Sequence, residues 1–420
     1  MGFHKIIYEL GQKLRNPSLN NWYRFLKSSD SWTIEELENY QEIKLMELVN
    51  FAKNNSFFYK QKFEGIEISK LSDLSNLPIL EKEDTLEFNR EIHTHYKGKV
   101  FKAKTSGSSG TTLVFNRNEQ ADSFSRAAVK RGYSWFNVHP ADKNLYFWGF
   151  NTKGWVFVKT KLQDFLQNRI RVFDYSQSSI NRIRRFSNKL HYINGYSSMI
   201  NELSLNNDAS NLKFPKLKLI KATSEEILPV YKKNIESRFN IPVISEYGAT
   251  ESGIIGFQCP EGNIHVTMEG VIVEEINNEI LVTNLHLKSF PIIRYRLGDY
   301  IELDIETKCG CGRSHYIIKS IKGRVGSKLI GISKIFPSLT IYRVFGNLSE
   351  MGFNYNYQLF QNKPGIVEIR LAGSINGGER AIKEEFFKYF NNDISYSIVE
   401  NYDFGTRLSK KKFFINQLDE

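Results

Sequence analysis

Residues 217–252 read LKLIKATSEEILPVYKKNIESRFNIPVISEYGATES. A short β-rich run (LKLIKAT, 217–223) is followed by a helical stretch (PVYKKNIESRF, 229–239) and a second β-rich run (IPVISEYG, 241–248). Strand, helix and strand in that order make a βαβ unit, and such units build layered α/β domains. The alternation spans about 101 to 300, with NLYFWGF (144–150) ahead of a helix expected over 177–193. Upstream, residues 1 to about 100 read mostly helical. ENYQEIKLMELVNFAKNN (38–55) carries Ile43, Leu45, Leu48, Val49 and Ala52 at helical intervals, and Pro78 ends any later helix. Downstream, HVTMEGVIVEEI (265–276), EILVTNL (279–285) and YIELDI (300–305) read as an antiparallel patch. NKPGIVEIRLAG (362–373), a helix over 378–392 and SYSIVENY (395–402) suggest a small α+β domain after a boundary near Gly323–Gly326.

The chain has 420 residues, so two or three domains are expected. Hydrophobic residues at 41% and charged residues at 25% suit a folded chain rather than a disordered one. Three cysteines exclude a disulfide scaffold and fit a reducing, cytoplasmic setting. No run of about eighteen apolar residues exists, so no membrane span is expected, and MGFHKIIYELGQKLRN lacks a signal-peptide core. Gly2 is present, but Ile6 stands where a myristoylation signal needs Ser or Thr. Lys plus Arg is 57 and Asp plus Glu is 46, giving 57 − 46 = +11. The bases interleave with acids, and neither an RNA-binding strand motif nor finger spacing is present, so nucleic acid is not the expected partner. Arg182, Arg184, Arg185 and Lys189 read as the solvated face of a helix whose apolar side is Ile183, Phe186, Leu190 and Ile193. A polyanion such as ATP or a CoA nucleotide also suits a basic protein.

Four segments carry chemistry. Thr105-Ser106-Gly107-Ser108-Ser109-Gly110-Thr111-Thr112 follows the strand-like KVFKAK. Glycines, successive N–H groups and hydroxyls could cradle an oxyanion, or the run could be a flexible turn; it fits neither GxxxxGK[ST] nor GxGxxG. Ser245-Glu246-Tyr247-Gly248-Ala249-Thr250-Glu251-Ser252 opens a loop at a strand end, where a carboxylate could hold magnesium and an aromatic ring could stack on a base. Arg294-Tyr295-Arg296-Leu297-Gly298-Asp299 offers an acid for a ribose diol. Ser409-Lys410-Lys411-Lys412 lies in a polar turn after Gly405.

In this order the motifs resemble those of the adenylate-forming (ANL) superfamily, whose members join a carboxylic acid to the α-phosphate of ATP and pass the acyl group to a thiol. The resemblance runs from about residue 40 to 415. TSGSSGTT is similar to the superfamily's phosphate loop, EYGATE to YGxTE and YRLGDY to YRxGD. IKGRVGSKLIGISKIFP resembles the hinge, and LSKKKFFI the segment bearing a catalytic lysine. LPILEKED, with Leu77, Pro78 and Lys82, and INGYSSMI point to the branch of phenylacetate–CoA ligases and CapK-like proteins of capsule polysaccharide biosynthesis.

The resemblance implies an α/β fold: a large N-terminal adenylation domain of layered sheets and helices (1–322) and a small mobile α+β lid (323–420). It implies that Thr105, Ser106, Gly107, Ser108, Ser109, Gly110 and Thr111 hold the β- and γ-phosphates of ATP. Tyr247 would stack on adenine, with Gly248 keeping the approach open. Thr250 would meet the α-phosphate, and Glu251 would hold Mg2+. Asp299, helped by Arg324, would bind the ribose. Lys411 would be catalytic, with Lys410 and Lys412 as one-residue shifts. The acceptor would be CoA, or alternatively an amine or sugar; a degenerate nucleotide-binding protein is a further alternative. Departures stand at Gly326 and Ser327, where the hinge usually has acids, at Lys410, where a small residue usually precedes the lysine, and at Glu225, where a glycine is usual. The phosphate loop also lacks the proline and lysine that often follow it. The acid's pocket would be lined partly by Phe147, Trp148 and Phe150 and by residues near Ser224 and Ser245, although these aromatics also suit a core.

All three cysteines fall in one pattern: Cys259-x5-His265, then Cys309-Gly-Cys311. Thiolates plus imidazole are the ligand set zinc prefers, and four close a structural site. FQCPEGNIH and CGCGR are similar to elements of some phenylacetate–CoA ligases. Zn2+ stitching two β segments together is expected, with His315 as the substitute fourth ligand if His265 points away.

Overall fold

The structure, a computed structural model, describes the chain outside residues 1, 106–111, 148–153, 224–226, 228, 323–327, 337, 338, 354, 356, 372, 404–413, 419 and 420. Two compact units emerge: residues 1–103 with 114–323, and 104–113 with 324–420.

The first unit opens with helices Phe3–Arg15, Leu19–Ser29 and Ile34–Asn55. The third starts where Thr33 and Glu36 cap each other: the Thr33 N–H donates to the Glu36 carboxylate at 2.8 Å and the Glu36 N–H to the Thr33 hydroxyl at 3.3 Å. It buries Leu37, Leu45, Leu48, Val49 and Ala52, a helical stripe. Gln41 interrupts that stripe, and its amide donates to the Met268 and Val271 carbonyls, tying the helix to a loop of the sheet. Strands β1 (Val100–Lys104) and β2 (Val114–Asn118) form a two-stranded sheet around the glycine-serine run.

The main sheet comprises β3 (Asn144–Phe147), β4 (Arg169–Arg171), β5 (Tyr192–Gly195), β6 (Leu219–Thr223), β7 (Val243–Ala249), β8 (Gly253–Gln258), β9 (Ile264–Val266), β10 (Val271–Ile276), β11 (Glu279–Asn284), β12 (Tyr295–Asp304) and β13 (Ile317–Lys322). Among the described residues their order is β10-β11-β12-β13-β9-β8-β7-β6-β5-β3-β4. From β4 to β7 all pairs are parallel, joined by helices including Gln177–Phe186, Ser197–Leu205 and Pro229–Phe239. The strand order reverses between β3 and β5, the arrangement that opens a crevice at the carboxyl ends of the strands. Leu145, Ile193, Ile220 and Val243 pack there with Ile180, Ile183 and Ile235 of the covering helices. From β7 onward every neighbour is antiparallel.

Two expectations shift. The helix expected over 177–193 ends at Phe186; a 3-10 turn at Ser187–Lys189 follows, and Ile193 belongs to β5. Apolar spacing read Ile183, Phe186, Leu190 and Ile193 as one face, yet strand and helix bury their apolar residues in the same core. HVTMEGVIVEEI divides into β9 and β10, because Gly270 and Val271 turn back onto the Thr267 carbonyl.

In the second unit, β14 (Leu329–Ile330) pairs with β15 (Ile335–Phe336). Strands β16 (Tyr357–Lys363), β17 (Ile366–Leu371), β18 (Ser395–Val399) and β19 (Phe414–Asn416) form a sheet ordered β18-β17-β16-β19. Helices Leu339–Glu350 and Glu379–Phe390 close its core around Leu359, Ile369, Ile382 and Phe386.

Candidate functional site

The Ser245–Ser252 stretch is the end of β7 and a tight turn into β8. The Ala249 N–H donates to the Ser252 hydroxyl at 3.2 Å, and Asn284 donates to the Ser252 carbonyl at 2.8 Å. Gly248 pairs with Ile254 so closely that a Cβ there would meet the Gly253 carbonyl oxygen at 2.5 Å. Only glycine fits without backbone movement. The turn therefore holds Tyr247, Thr250 and Glu251 at fixed positions along one strand end.

The second motif begins β12. Arg294 adopts φ +50°, unusual for a side-chain-bearing residue. Four hydrogen bonds to three partners hold it there: Glu274 accepts at 2.9 and 3.0 Å, the Ser75 carbonyl at 2.9 Å, and the Leu77 carbonyl also accepts. Leu80 brackets the next residue, donating to the Arg294 carbonyl and accepting from the Arg296 N–H, both at 3.0 Å. Leu77 and Leu80 of LPILEKED are thus docked on the start of YRLGD, with Lys82 buried nearby in the chain. Gly298, at φ +83°, then turns the chain so that Asp299 faces β7. The Tyr247 hydroxyl donates to the Asp299 carboxylate at 2.8 Å. Glu251 is buried, and the Tyr295 hydroxyl donates to it at 3.4 Å. Two motifs separated by about fifty residues therefore share one site.

Arg117, which sequence reasoning missed, donates to the Thr250 carbonyl and pairs with Asp122 at 3.5 Å. Burial pulls its guanidinium below the ordinary pKa, against the opposing pull of Asp122 and, further off, Glu251. Its only sequence signal is a basic residue near the end of β2. Lys221 and Glu246 were missed too; they form a buried ion pair between β6 and β7.

Cys259, His265, Cys309 and Cys311 converge as well: their ligand atoms lie within 4.8 Å of one another. Cys259 follows β8, in a turn closed by the Gly262 N–H donating to the Cys259 carbonyl at 3.0 Å. Cys309 and Cys311 sit in a matching turn, with the Gly312 N–H donating to the Cys309 carbonyl at 3.1 Å. His265 lies on β9, paired with Ile317 of β13. The Cys259 and Cys309 sulfurs are 3.7 Å apart, and His265 Nε2 is 3.2 Å from the Cys311 sulfur. Tetrahedral zinc with bonds of about 2.3 Å to sulfur requires an S–S edge of about 3.75 Å, so the donor set fits zinc. His265 Nδ1 faces the His315 carbonyl at 3.3 Å, an orientation that leaves Nε2 to face the cysteines. Burial lowers the His265 pKa to about 4, which keeps its ring neutral, and pushes the Cys259 thiol up to about 12. His265 does not point away, so His315 is not called on as substitute ligand, and its Nε2 faces Glu269 at 2.9 Å. Arg131 also pairs with that fully buried carboxylate. Together they hold it well below the usual carboxylate range, outweighing the upward push of burial.

The protein CapK of Staphylococcus aureus is 25% identical over 312 residues, which cover 69% of this chain and 68% of CapK. A crystal structure of 2-hydroxyisobutyryl-CoA ligase in its thioesterification state superposes with a TM-score of 0.64 at 14% identity, covering 92% of this chain and 91% of the other. An open conformation of the same ligase gives 0.59 at 14% identity, covering 93% of each chain. The chain therefore shares the fold of 2-hydroxyisobutyryl-CoA ligase and is similar to CapK in sequence. No family model matches it.

On this fold the expected site residues fall into three groups. Tyr247, Gly248, Thr250, Glu251 and Asp299 lie on β7, its turn and β12, with Tyr247 and Asp299 in direct contact. Thr105 closes the stem of the glycine-serine run: its N–H donates to the Leu113 carbonyl, and its hydroxyl accepts from the Leu113 N–H, both at 3.0 Å. Ser106–Thr111, Arg324, Lys410, Lys411 and Lys412 lie outside the described residues, as do Trp148, Phe150 and Ser224. Phe147 is fully buried and stacks with Tyr175, so it serves the core.

Proposed function

We propose that the protein is an AMP-forming ligase that activates a carboxylic acid with ATP. A carboxylate oxygen attacks the α-phosphorus, the bond to the bridging oxygen breaks, and pyrophosphate leaves. A carboxylate is already deprotonated near pH 7, so no general base is needed. The observation that carries this reading is the Tyr247–Asp299 hydrogen bond beside the Glu251 turn. It joins, on an adenylate-forming fold, an aromatic ring for a base, an acid for a ribose diol and an acid for a metal.

In this reading the Tyr247 ring lies against adenine, with Gly248 leaving the approach open, and Asp299 accepts the ribose hydroxyls with help from Arg324. The Thr250 hydroxyl donates to the α-phosphate. Thr105 to Thr111 supply N–H and hydroxyl donors for the β- and γ-phosphates. Lys411 stabilises the charge that builds between two anions brought together. Mg2+ at Glu251, when bound, neutralises phosphate oxygens. Arg117 positions the turn through the Thr250 carbonyl. Residues 1–322 act as the adenylation domain and 323–420 as its mobile lid. Zn2+ held by Cys259, His265, Cys309 and Cys311 is structural, since four protein donors leave no open position.

CoA is the favoured acceptor, because the ligase that covers 93% of both chains is named for CoA and was crystallised with it. The CapK likeness keeps an amine or sugar acceptor as the alternative. The test is exchange of labelled pyrophosphate into ATP across a panel of carboxylic acids. Acid-dependent exchange is expected with at least one; no exchange with any acid overturns the reading. With an active acid in hand, thioester formation on adding CoA decides for CoA, and product only with an amine or sugar decides against it.

A further inference from the structure

Two helices of the first unit leave large apolar side chains exposed and are fastened to the protein by polar contacts. On helix Phe3–Arg15, no residue is buried. Lys5 pairs with Asp142 at 3.0 Å, and Glu9 with Lys130 at 2.6 Å and His139 at 3.1 Å. These polar contacts fasten the helix. Its exposed stripe is Phe3, Ile6, Leu10 and Leu14, spaced i, i+3, i+7 and i+11, with Leu14 at 82% exposure. Helix Gly154–Leu166 repeats the pattern. Its one buried residue is Asp164, held by Arg171 at 2.9 and 3.0 Å, while Trp155, Val158, Leu162 and Phe165 are exposed, Trp155 at 87%. The helices meet where the His4 and Phe165 rings pack edge to face at 5.4 Å. An amphipathic helix on a folded domain ordinarily buries its apolar stripe. Two such adjacent helices make one apolar surface of the kind that marks a docking site.

We propose that this surface lies on an anionic lipid bilayer. The exposed residues of both helices include Lys13, Lys159 and Lys161 and no carboxylate. Trp, Phe, Leu, Ile and Val flanked by lysines are the composition of a helix that rests in the headgroup region, its apolar side inserted and its bases against acidic lipids. The chain's excess of +11 adds long-range attraction to the same surface. Neither helix exceeds 13 residues, too short to span, and no helix among the described residues is long and apolar enough to cross. A second copy is a poorer occupant, because a two-fold contact through this patch brings lysines against lysines.

The test is co-sedimentation of the full chain with vesicles of phosphatidylglycerol and phosphatidylcholine in equal parts. Binding is expected, with a loss of at least about tenfold on pure phosphatidylcholine and in high salt, which screens the lysines. The double variant Leu14→Glu with Trp155→Glu is expected to lose binding by about tenfold or more while its thermal midpoint stays unchanged, since both side chains are exposed. A parallel reading needs no such variant: brominated lipids should quench wild-type tryptophan fluorescence, and Trp155→Phe should lose much of that quenching. No sedimentation with the acidic vesicles overturns the proposal. So does a wild-type dimer that the double variant converts to monomer without any vesicle binding, because the patch then belongs to a second copy. None of these readouts depends on ligase activity.

Discussion

Asp299 receives the Tyr247 hydroxyl at 2.8 Å, so the residue expected to hold the ribose is oriented by the residue expected to hold the base. Tyr247→Phe keeps the ring and removes that bond. The expected outcome is a rise in KM for ATP of about tenfold with kcat within about threefold, the signature of lost uniform binding. A fall in kcat alone would move Tyr247 out of the nucleotide site. Lys411 is expected to be a different kind of group, called on when charge builds on the α-phosphate. Lys411→Ala is expected to lower pyrophosphate exchange by at least about a hundredfold while ATP binding by calorimetry persists. Unchanged exchange would pass the role to Lys410 or Lys412.

At the scale of elements, glycine turns matter more than helix propensity. Gly248 allows β7 and β8 to close, and Gly298 lets β12 present Asp299 partway along a strand. Two further turns, closed at Gly262 and Gly312, bring Cys259 and the Cys309–Cys311 pair to His265. Those turns come from chain segments about fifty residues apart, so an ion bound there would tie β8 and β9 to the loop before β13. Cys309→Ser is expected to reduce zinc from about one per chain to a small fraction by elemental analysis. It should also lower the thermal midpoint by several degrees, because metal binding energy is folding energy. A wild-type chain without zinc and with equal stability would reject the site.

Across the whole molecule, stability should depend on pH through buried histidines. His286 is buried, with Trp22 at 4.6 Å, Phe124 at 4.3 Å and the Glu269 carbonyl 2.9 Å from Nε2. Burial, helped by Lys44 and Lys288, lowers its pKa to about 4. The unfolded chain takes up that proton near pH 6.5. Between these values the unfolded state binds more protons, so the contribution is complete above pH 6.5 and is lost as pH falls toward 4. The loss is on the order of 3 kcal/mol for this one residue at pH 4. Urea midpoints measured from pH 7 down to 5 should fall, and His286→Gln should flatten the fall. An equally steep fall in the variant would assign it to other groups.

Much of this protein was legible one residue at a time. The alternation of apolar runs and helical stretches over 217–252 determined a parallel α/β core, because burying both faces of a strand leaves a mark in the local sequence. The order of YGATE and YRLGD pointed to the site, because short turns and their glycines are written in consecutive residues. Contacts across long separations left no such mark. Only the tertiary structure decided that Tyr247 bonds to Asp299, that Arg117 stands under Thr250 and that His315 serves Glu269 instead of the cysteines. It alone decided that the apolar stripes of helices Phe3–Arg15 and Gly154–Leu166 face outward. Periodicity shows that a helix has two faces; which one meets the protein depends on the charges waiting there, and Asp142, Lys130 and Arg171 lie far along the chain from the helices or outside them.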